Sequence, residues 1–331
     1  MSQRLLWADN AKAIGIFLVV FGHLSNPESV TKIIYSFHMP LFFFLAGVFF
    51  SVNCDFSAFL QKKTKTLIVP YFIFGVLTYL FWVCIGRNYG ADASLNIPWW
   101  RPLVGMFYSV GTENWLVHNT PLWFLTCLYV SEIFLFFVLS LTKKIAFWLI
   151  AFSVMGYLFS LYNLPSLPWS LNTAPQAMLF LGVGLFSRRF IVEPSHIVAS
   201  IVFLVSIAGL VVIGLFNARV DMNSNQYGNY LMFVTSAVCG ILATILLAQK
   251  INLSPVSLVG RNTLVIFLLH GVAISLWKGF LTFGLGFDLG ILESNMSLNF
   301  VLAIMVILSL APVSIFVTKV TPWAIGAQNK K

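Results

Sequence analysis

Along the chain, runs of apolar residues alternate with short stretches rich in charge, proline and asparagine. A helix rises about 1.5 Å per residue, so roughly 20 apolar residues cross the ~30 Å hydrocarbon layer of a bilayer. The breaks leave ten such segments, over residues 10–26, 36–53, 66–86, 121–141, 145–161, 174–187, 196–216, 229–249, 262–280 and 297–318. Several are short, 145–161 and 174–187 above all, so nine or eleven spans also fit the pattern. The pattern predicts an all-α fold, a polytopic transmembrane helix bundle of about ten spans. No Gly/Ser linker or long polar stretch divides it, so residues 1–331 read as a single membrane domain. There is no internal repeat of fixed period, and no matched pair of Gly/Pro-broken helices of the kind that marks inverted-repeat carriers.

Composition agrees with that pattern. Of 331 residues, 59% are hydrophobic, 16% aromatic and 9% charged, and mean hydropathy is +0.92. A soluble domain carries about a quarter of its residues charged, so this chain lacks the polar skin that water requires. A soluble enzyme, a secreted disulfide scaffold, a disordered chain and a lone membrane anchor are all excluded. Cys54, Cys84, Cys127 and Cys239 fall in or beside separate apolar segments without metal or disulfide spacing, and read as core thiols. The first apolar run is interrupted by Gly22 and His23 and lacks a small-residue cleavage site, so no signal peptide is expected.

Charge gives the direction. With the N-terminus inside, the cytoplasmic segments hold fourteen basic residues: Arg4, Lys12, Lys62, Lys63, Lys65, Lys143, Lys144, Arg188, Arg189, Lys250, Arg261, Lys319, Lys330 and Lys331. The outside holds five: Lys32, Arg87, Arg101, Arg219 and Lys278. That asymmetry predicts an even number of spans with both termini cytoplasmic. Asp9, Asp55 and Glu193 fall inside and six acids fall outside, so the net +9 belongs to the cytoplasmic face. Such a face suits anionic lipid headgroups or a phosphate-bearing cytoplasmic ligand, and without a basic-aromatic tract no nucleic-acid partner is expected. The largest loop, about 87–120, lies outside with Trp99, Trp100, Arg101, Trp115 and His118. It reads equally as an interfacial aromatic belt or as part of a surface on which sugar rings stack.

Titratable groups are expensive in hydrocarbon, which makes the few present here pointers to function. Lys12 and His23 are eleven residues apart, so they share one helix face about 16 Å apart. His23 falls past the membrane midpoint, with His38 at the outer start of the second span and His270 about eight residues into the ninth. A neutral imidazole can take a proton from a hydroxyl nucleophile, and proton-coupled transport would use the same chemistry. Glu132, mid-span, needs a partner such as His270 or His23, or a proton bonded to a neighbouring carbonyl. On the cytoplasmic side Lys62, Lys63 and Lys65, then Arg188 and Arg189, then Arg261 cap three spans. Such clusters mark topology, and together they can also clamp phosphates. No Walker or dinucleotide motif is present, and the dispersed histidines offer no metal site.

Four stretches carry a resemblance. Trp7-Ala8-Asp9-Asn10-Ala11-Lys12-Ala13 leading to Val19-Val20-Phe21-Gly22-His23 resembles the first helix of the acyltransferase-3 family of integral membrane acyltransferases. Phe37-His38-Met39-Pro40 through Gly47, Pro121-Leu122-Trp123-Phe124-Leu125, and Asn262 through His270 agree with it in order and spacing, over nearly the whole chain. The family's mark is a basic residue, ten positions and a histidine. Here the basic residue is Lys12 where many members have Arg, which keeps the charge and loses the bidentate fork.

The Asp-Asn-x-Lys form with Gly-His is similar to sugar O-acetylases of the fucose 4-O-acetylase type. The resemblance implies transfer of an acetyl group from cytoplasmic acetyl-CoA to a hydroxyl of a surface polysaccharide, such as lipopolysaccharide, or of a lipid-linked glycan, in the bacterial inner membrane. It implies His23 as general base, with Lys12, Asp9 and Glu132 completing the catalytic set. Lys62, Lys63, Lys65, Arg188, Arg189 and Arg261 would bind the donor. His38, Trp123, His270 and Trp115 would contact the acceptor. A secondary transporter or flippase for a glycan or small anionic solute shares the spans, the buried titratable groups and the charge asymmetry, and stands as the alternative.

Overall fold

The computed structural model describes residues 5–327 apart from 143, 163 and 192–195. Arg4, Lys143, Glu193, Lys330 and Lys331 of the cytoplasmic charge set lie outside the described residues. The described residues form fifteen α-helices in sequence order: α1 (Leu6–Gly22), α2 (Glu28–Val48), α3 (Phe56–Lys63), α4 (Val69–Cys84), α5 (Gly90–Ser94), α6 (Trp100–Tyr108), α7 (Trp123–Leu141), α8 (Ile145–Leu161), α9 (Ala174–Ser187), α10 (His196–Phe216), α11 (Tyr230–Lys250), α12 (Ser254–Arg261), α13 (Thr263–Gly279), α14 (Leu289–Ser294) and α15 (Met296–Val320). Among the described residues the only extended pairing is one isolated bridge, Asp221 with Gln226.

Each of the ten segments expected from hydropathy is a helix. Among the described residues seven helical stretches are long and apolar enough to cross a membrane, running through α2, α3–α4, α7, α10, α11, α13 and α15. The other three segments are shorter: α1 and α8 have 17 residues each and α9 has 14. The protein is an all-helical, multi-pass membrane protein. The second segment starts eight residues earlier than its apolar run, because Glu28 to Ser36 continue the helix through polar positions beyond the apolar stretch. His38 is therefore the eleventh residue of α2 and not its outer start. Cys54 and Cys84 are exposed near helix ends, so of the four cysteines only Cys127 is a core thiol.

α1 and α2 form the centre. α1 packs on α2, α11, α12, α13 and α15, and α2 packs also on α9, α10 and α11. α10 lies at the periphery and leaves Ile197, Leu204, Val205 and Phe216 exposed, as a lipid-facing helix would. Without a hydrophobic drive between helices in lipid, close packing needs small residues at the contact. The α2–α9 contact supplies them from both sides. A Cβ on Gly47 would lie 1.8 Å from the Leu181 carbonyl oxygen, and one on Gly184 2.0 Å from that of Phe44. Gly260 of α12 meets Asp9 of α1 in the same way, at 1.7 Å.

Backbone bears directly on backbone at Gly47, so Gly47→Ala should separate α2 from α9 and cost about 1–3 kcal/mol. The melting temperature of the purified protein in micelles checks this, and an unchanged value would contradict the contact. A second effect comes from His118, buried in the segment between α6 and α7 with no partner for either ring nitrogen among the described residues. Burial pushes its pKa down to about 3, against about 6.5 unfolded. Below pH 6.5 the unfolded chain takes a proton that the folded one refuses, so stability should decline as pH falls from about 6.5 towards 3. Melting curves of His118→Asn should show a shallower decline over that window than wild type.

Candidate active site

The far end of α1 is built from polar side chains that meet its last carbonyls. A helix leaves its final C=O groups without internal partners, and inside a bundle each must find one. His23 places Nδ1 2.7 Å from the Val19 oxygen, Asn26 donates to the Phe21 oxygen at 2.5 Å, and the Tyr35 hydroxyl donates to the Gly22 oxygen at 3.3 Å. The following turn is tied down by Asn299 of α15, which donates to the Ser25 oxygen at 2.7 Å. His23 is thus positioned by the chemistry of the helix end itself.

His38 and His270 repeat the arrangement, with Nδ1 2.8 Å from the Ile34 oxygen and 2.6 Å from the Phe267 oxygen. A carbonyl only accepts, so in each neutral ring Nδ1 carries the hydrogen and Nε2 keeps the lone pair. The three rings gather in space. His23 meets His270 edge-on at 4.9 Å, Tyr35 meets His38 at 4.8 Å, and Tyr35 stands 6.5 Å from His23. His270 is buried and its Nε2 has no partner among the described residues. A cleft of about 110 Å³ opens against His23, His38, Tyr35 and Trp123, with Thr120, Arg219 and Asp221 on its other walls. Thr120–Leu122 forms a 3₁₀ turn leading into α7, and Asn119 fastens it to α13 through the Leu268 oxygen at 2.9 Å.

Eleven residues back along α1 a second cluster surrounds the C-terminal end of α2. Lys12 lies over the Phe49 ring at 5.2 Å and 3.9 Å from Asp9. Lys63 lies 5.7 Å from both the Phe50 and Phe59 rings, and Arg188 donates to the Phe50 oxygen at 3.2 Å. Cations from α1, α3 and the end of α9 thus collect where the dipole of α2 is negative. Asn10, next to Asp9, donates to the Ala248 and Ile251 oxygens at 3.0 and 2.9 Å and closes the end of α11.

The structure brings together His23, His38, His270 and Trp123 at one end, and Asp9, Lys12, Lys63, Glu132 and Arg188 at the other. Glu132 does not reach His23 or His270; its partner is Lys63, 2.5 Å away. The reason is placement: Glu132 sits at the midpoint of α7, where the end of α3 reaches it, while the histidines gather at the other cluster. Lys62 and Lys65 are exposed, Arg189 stacks on Phe186 and Phe190, and Arg261 folds back on Ser257. Trp115 packs between Arg101 and Tyr108 and does not line the cleft. Among the described residues no three His, Cys, Asp or Glu side chains converge as a metal site would require. Sequence reasoning missed Tyr35, Arg219 and Asp221. Tyr35 was hidden in the polar start of α2. The other two sit in an asparagine-rich connection, whose Asn and Gly turn residues were the available signal.

Lys63 and Glu132 are a largely buried pair, and removing one partner leaves the other charge stranded. Lys63→Met should destabilise the protein by about 3 kcal/mol, and adding Glu132→Leu should restore part of that loss. Unfolding of the single and double variants in micelles measures it; equal stabilities would show that the pair is not coupled.

No curated protein and no solved structure matches the chain. The profile of one family, described as an acyltransferase domain (Acyl_transf_3), matches residues 5–318 and so takes in both clusters and the cleft between α1, α2 and α7. With helices long enough to span a bilayer and a match over nearly its full length, the chain belongs to the acyltransferase-3 family of membrane acyltransferases.

Proposed function

We propose that this membrane acyltransferase is a sugar O-acetyltransferase of the bacterial inner membrane. It moves an acetyl group from cytoplasmic acetyl-CoA to a hydroxyl of a surface polysaccharide or a lipid-linked glycan. The observation that carries the reading is the state of His23. Its Nδ1 is committed to the Val19 oxygen, so its Nε2 keeps the lone pair, in a ring that borders the cleft. A base in that state suits deprotonation of a neutral hydroxyl.

In the reaction, Nε2 of His23 takes the hydroxyl proton as the oxygen attacks the thioester carbonyl. The tetrahedral intermediate collapses with cleavage of the carbon–sulfur bond. The imidazolium returns its proton to the departing thiolate, leaving free CoA and the acetyl ester. Trp123, in the cleft wall, offers an aromatic face to a sugar ring, while His38 and His270 complete the surroundings of the base.

The donor is anionic and fits the other cluster. Lys12 and Arg188 at the end of α2, with Lys63 beside them, offer charge-assisted hydrogen bonds to its phosphates, with Asp9 holding Lys12 in place. Lys62, Lys65, Arg189 and Arg261 supply a wider positive field at that face. Glu132 serves the donor end through Lys63. Trp115, away from the cleft, is left without a part. Eleven residues of α1 set about 16 Å between Lys12 and His23, a span for the pantetheine arm between phosphates and thioester.

Purified protein incubated with radiolabelled acetyl-CoA and a glycan acceptor should transfer label. His23→Ala should lower the rate by about 10²- to 10⁴-fold with donor affinity little changed. Full transfer by the variant would refute the role of His23, and no transfer by wild type to any acceptor would refute the O-acetyl reading.

A further inference from the structure

The connection between α10 and α11, residues 217–229, forms one wall of the cleft and is built as a rigid element. Asn217 is buried and serves as its hub. Its amide donates to the Tyr227 oxygen at 3.0 Å, and its own oxygen accepts from the Ala218 and Asn229 amides at 2.9 and 2.8 Å. Asp221 and Gln226 exchange both backbone hydrogen bonds, at 2.7 and 2.9 Å. Val220, Met222 and Tyr227 are buried, Tyr227 stacks on Phe233 at 4.9 Å, and Thr173 donates to the Met222 oxygen at 3.2 Å. A connection held this well has already met the ordering cost that a flexible recognition loop meets on binding.

Into the cleft this wall presents Arg219 and Asp221. Asp221 is partly engaged, because its Oδ1 accepts the Asn223 amide at 3.0 Å. Arg219 lies 4.3 Å over the Tyr35 ring, and among the described residues it has no carboxylate partner. Tyr35 holds the guanidinium at the cleft wall by this ring contact and a side-chain hydrogen bond, and of the five N–H donors of an arginine enough remain to bind a carboxylate or phosphate by two parallel hydrogen bonds.

We propose that Arg219 is an acceptor-recognition residue and that the acceptor carries an anionic oxygen group, a carboxylate or a phosphate, close to the hydroxyl that is acylated. This rests on the O-acetyl transfer reading and names the substrate class within it. Tyr35 holds the guanidinium at the cleft wall, and the anion pairs with it there.

The test uses the full-length protein in micelles with three acceptors that share one sugar: a neutral glycoside, the corresponding uronic acid and the corresponding sugar phosphate. Wild type should bind at least one of the anionic acceptors about 10- to 100-fold more tightly than the neutral one by calorimetry without donor. It should also favour that acceptor in kcat/KM with labelled acetyl-CoA. Arg219→Gln should collapse both ratios towards one, and Arg219→Lys should keep part of the preference. Which anionic acceptor shows the larger ratio separates carboxylate from phosphate. The proposal is overturned if wild type shows no preference, or if Arg219→Gln lowers binding of all three acceptors equally, as a merely structural residue would. Preferential binding that depends on Arg219 without any label transfer would leave the recognition site standing and refute the O-acetyl reading instead.

Discussion

A backbone carbonyl inside a bilayer-embedded bundle cannot turn to water, and the candidate site is assembled around that constraint. The last turn of α1 needs hydrogen-bond donors for its carbonyls, and His23, Asn26 and Tyr35 supply donors to three of its oxygens. His38 and His270 also place Nδ1 against a carbonyl of their own helix, at interior positions of α2 and α13. In each case one nitrogen is committed to the helix and the other keeps its lone pair. Structural satisfaction and chemical readiness are thus two consequences of the same hydrogen bond. At the opposite end Asn10 meets the terminal carbonyls of α11, and its neighbour Asp9 sits under Lys12.

The two clusters divide the work by charge. Cations gather at the negative end of α2, where aromatic faces and a carbonyl receive them, and neutral imidazoles gather where α1 stops. The Lys63–Glu132 pair lies on the cationic side and links α3 to α7, next to the π-helical turn Thr64–Ile68 that joins α3 to α4. Burying such a pair brings little net stability, so its value lies in fixing where the Lys63 charge stands. Small residues then let α1, α2, α9 and α12 approach until backbone touches backbone at Gly47, Gly184 and Gly260, which keeps the clusters in register.

Much of this could be read in the sequence. Apolar runs located all ten principal helices, since a lipid-solvated helix must show its length in hydropathy. The Lys12–His23 spacing placed two groups on one helix because helical geometry alone decides it. What escaped reading was long-range or polar. The start of α2 was hidden because Glu28 to Ser36 are helical without being apolar. The partner of Glu132 was misassigned, because nothing in local spacing says that α3 rather than α1 or α13 lies beside the middle of α7. Arg219 was visible only as one external charge, since its stacking on Tyr35 depends on how residues 217–229 fold across the bundle.

The straight run of α1 from Lys12 to His23 carries a further consequence for how this chain can vary. Each residue added to a helix turns everything beyond it by about 100° and advances it by about 1.5 Å. A substitution within Ala13 to Gly22 changes packing locally, whereas an insertion or deletion swings the imidazole off its cleft while the lysine stays with α2. The interval behaves as a phase relation more than as a motif. Its length is held to a tolerance of no residues, while its composition is set only by the neighbours that α1 touches.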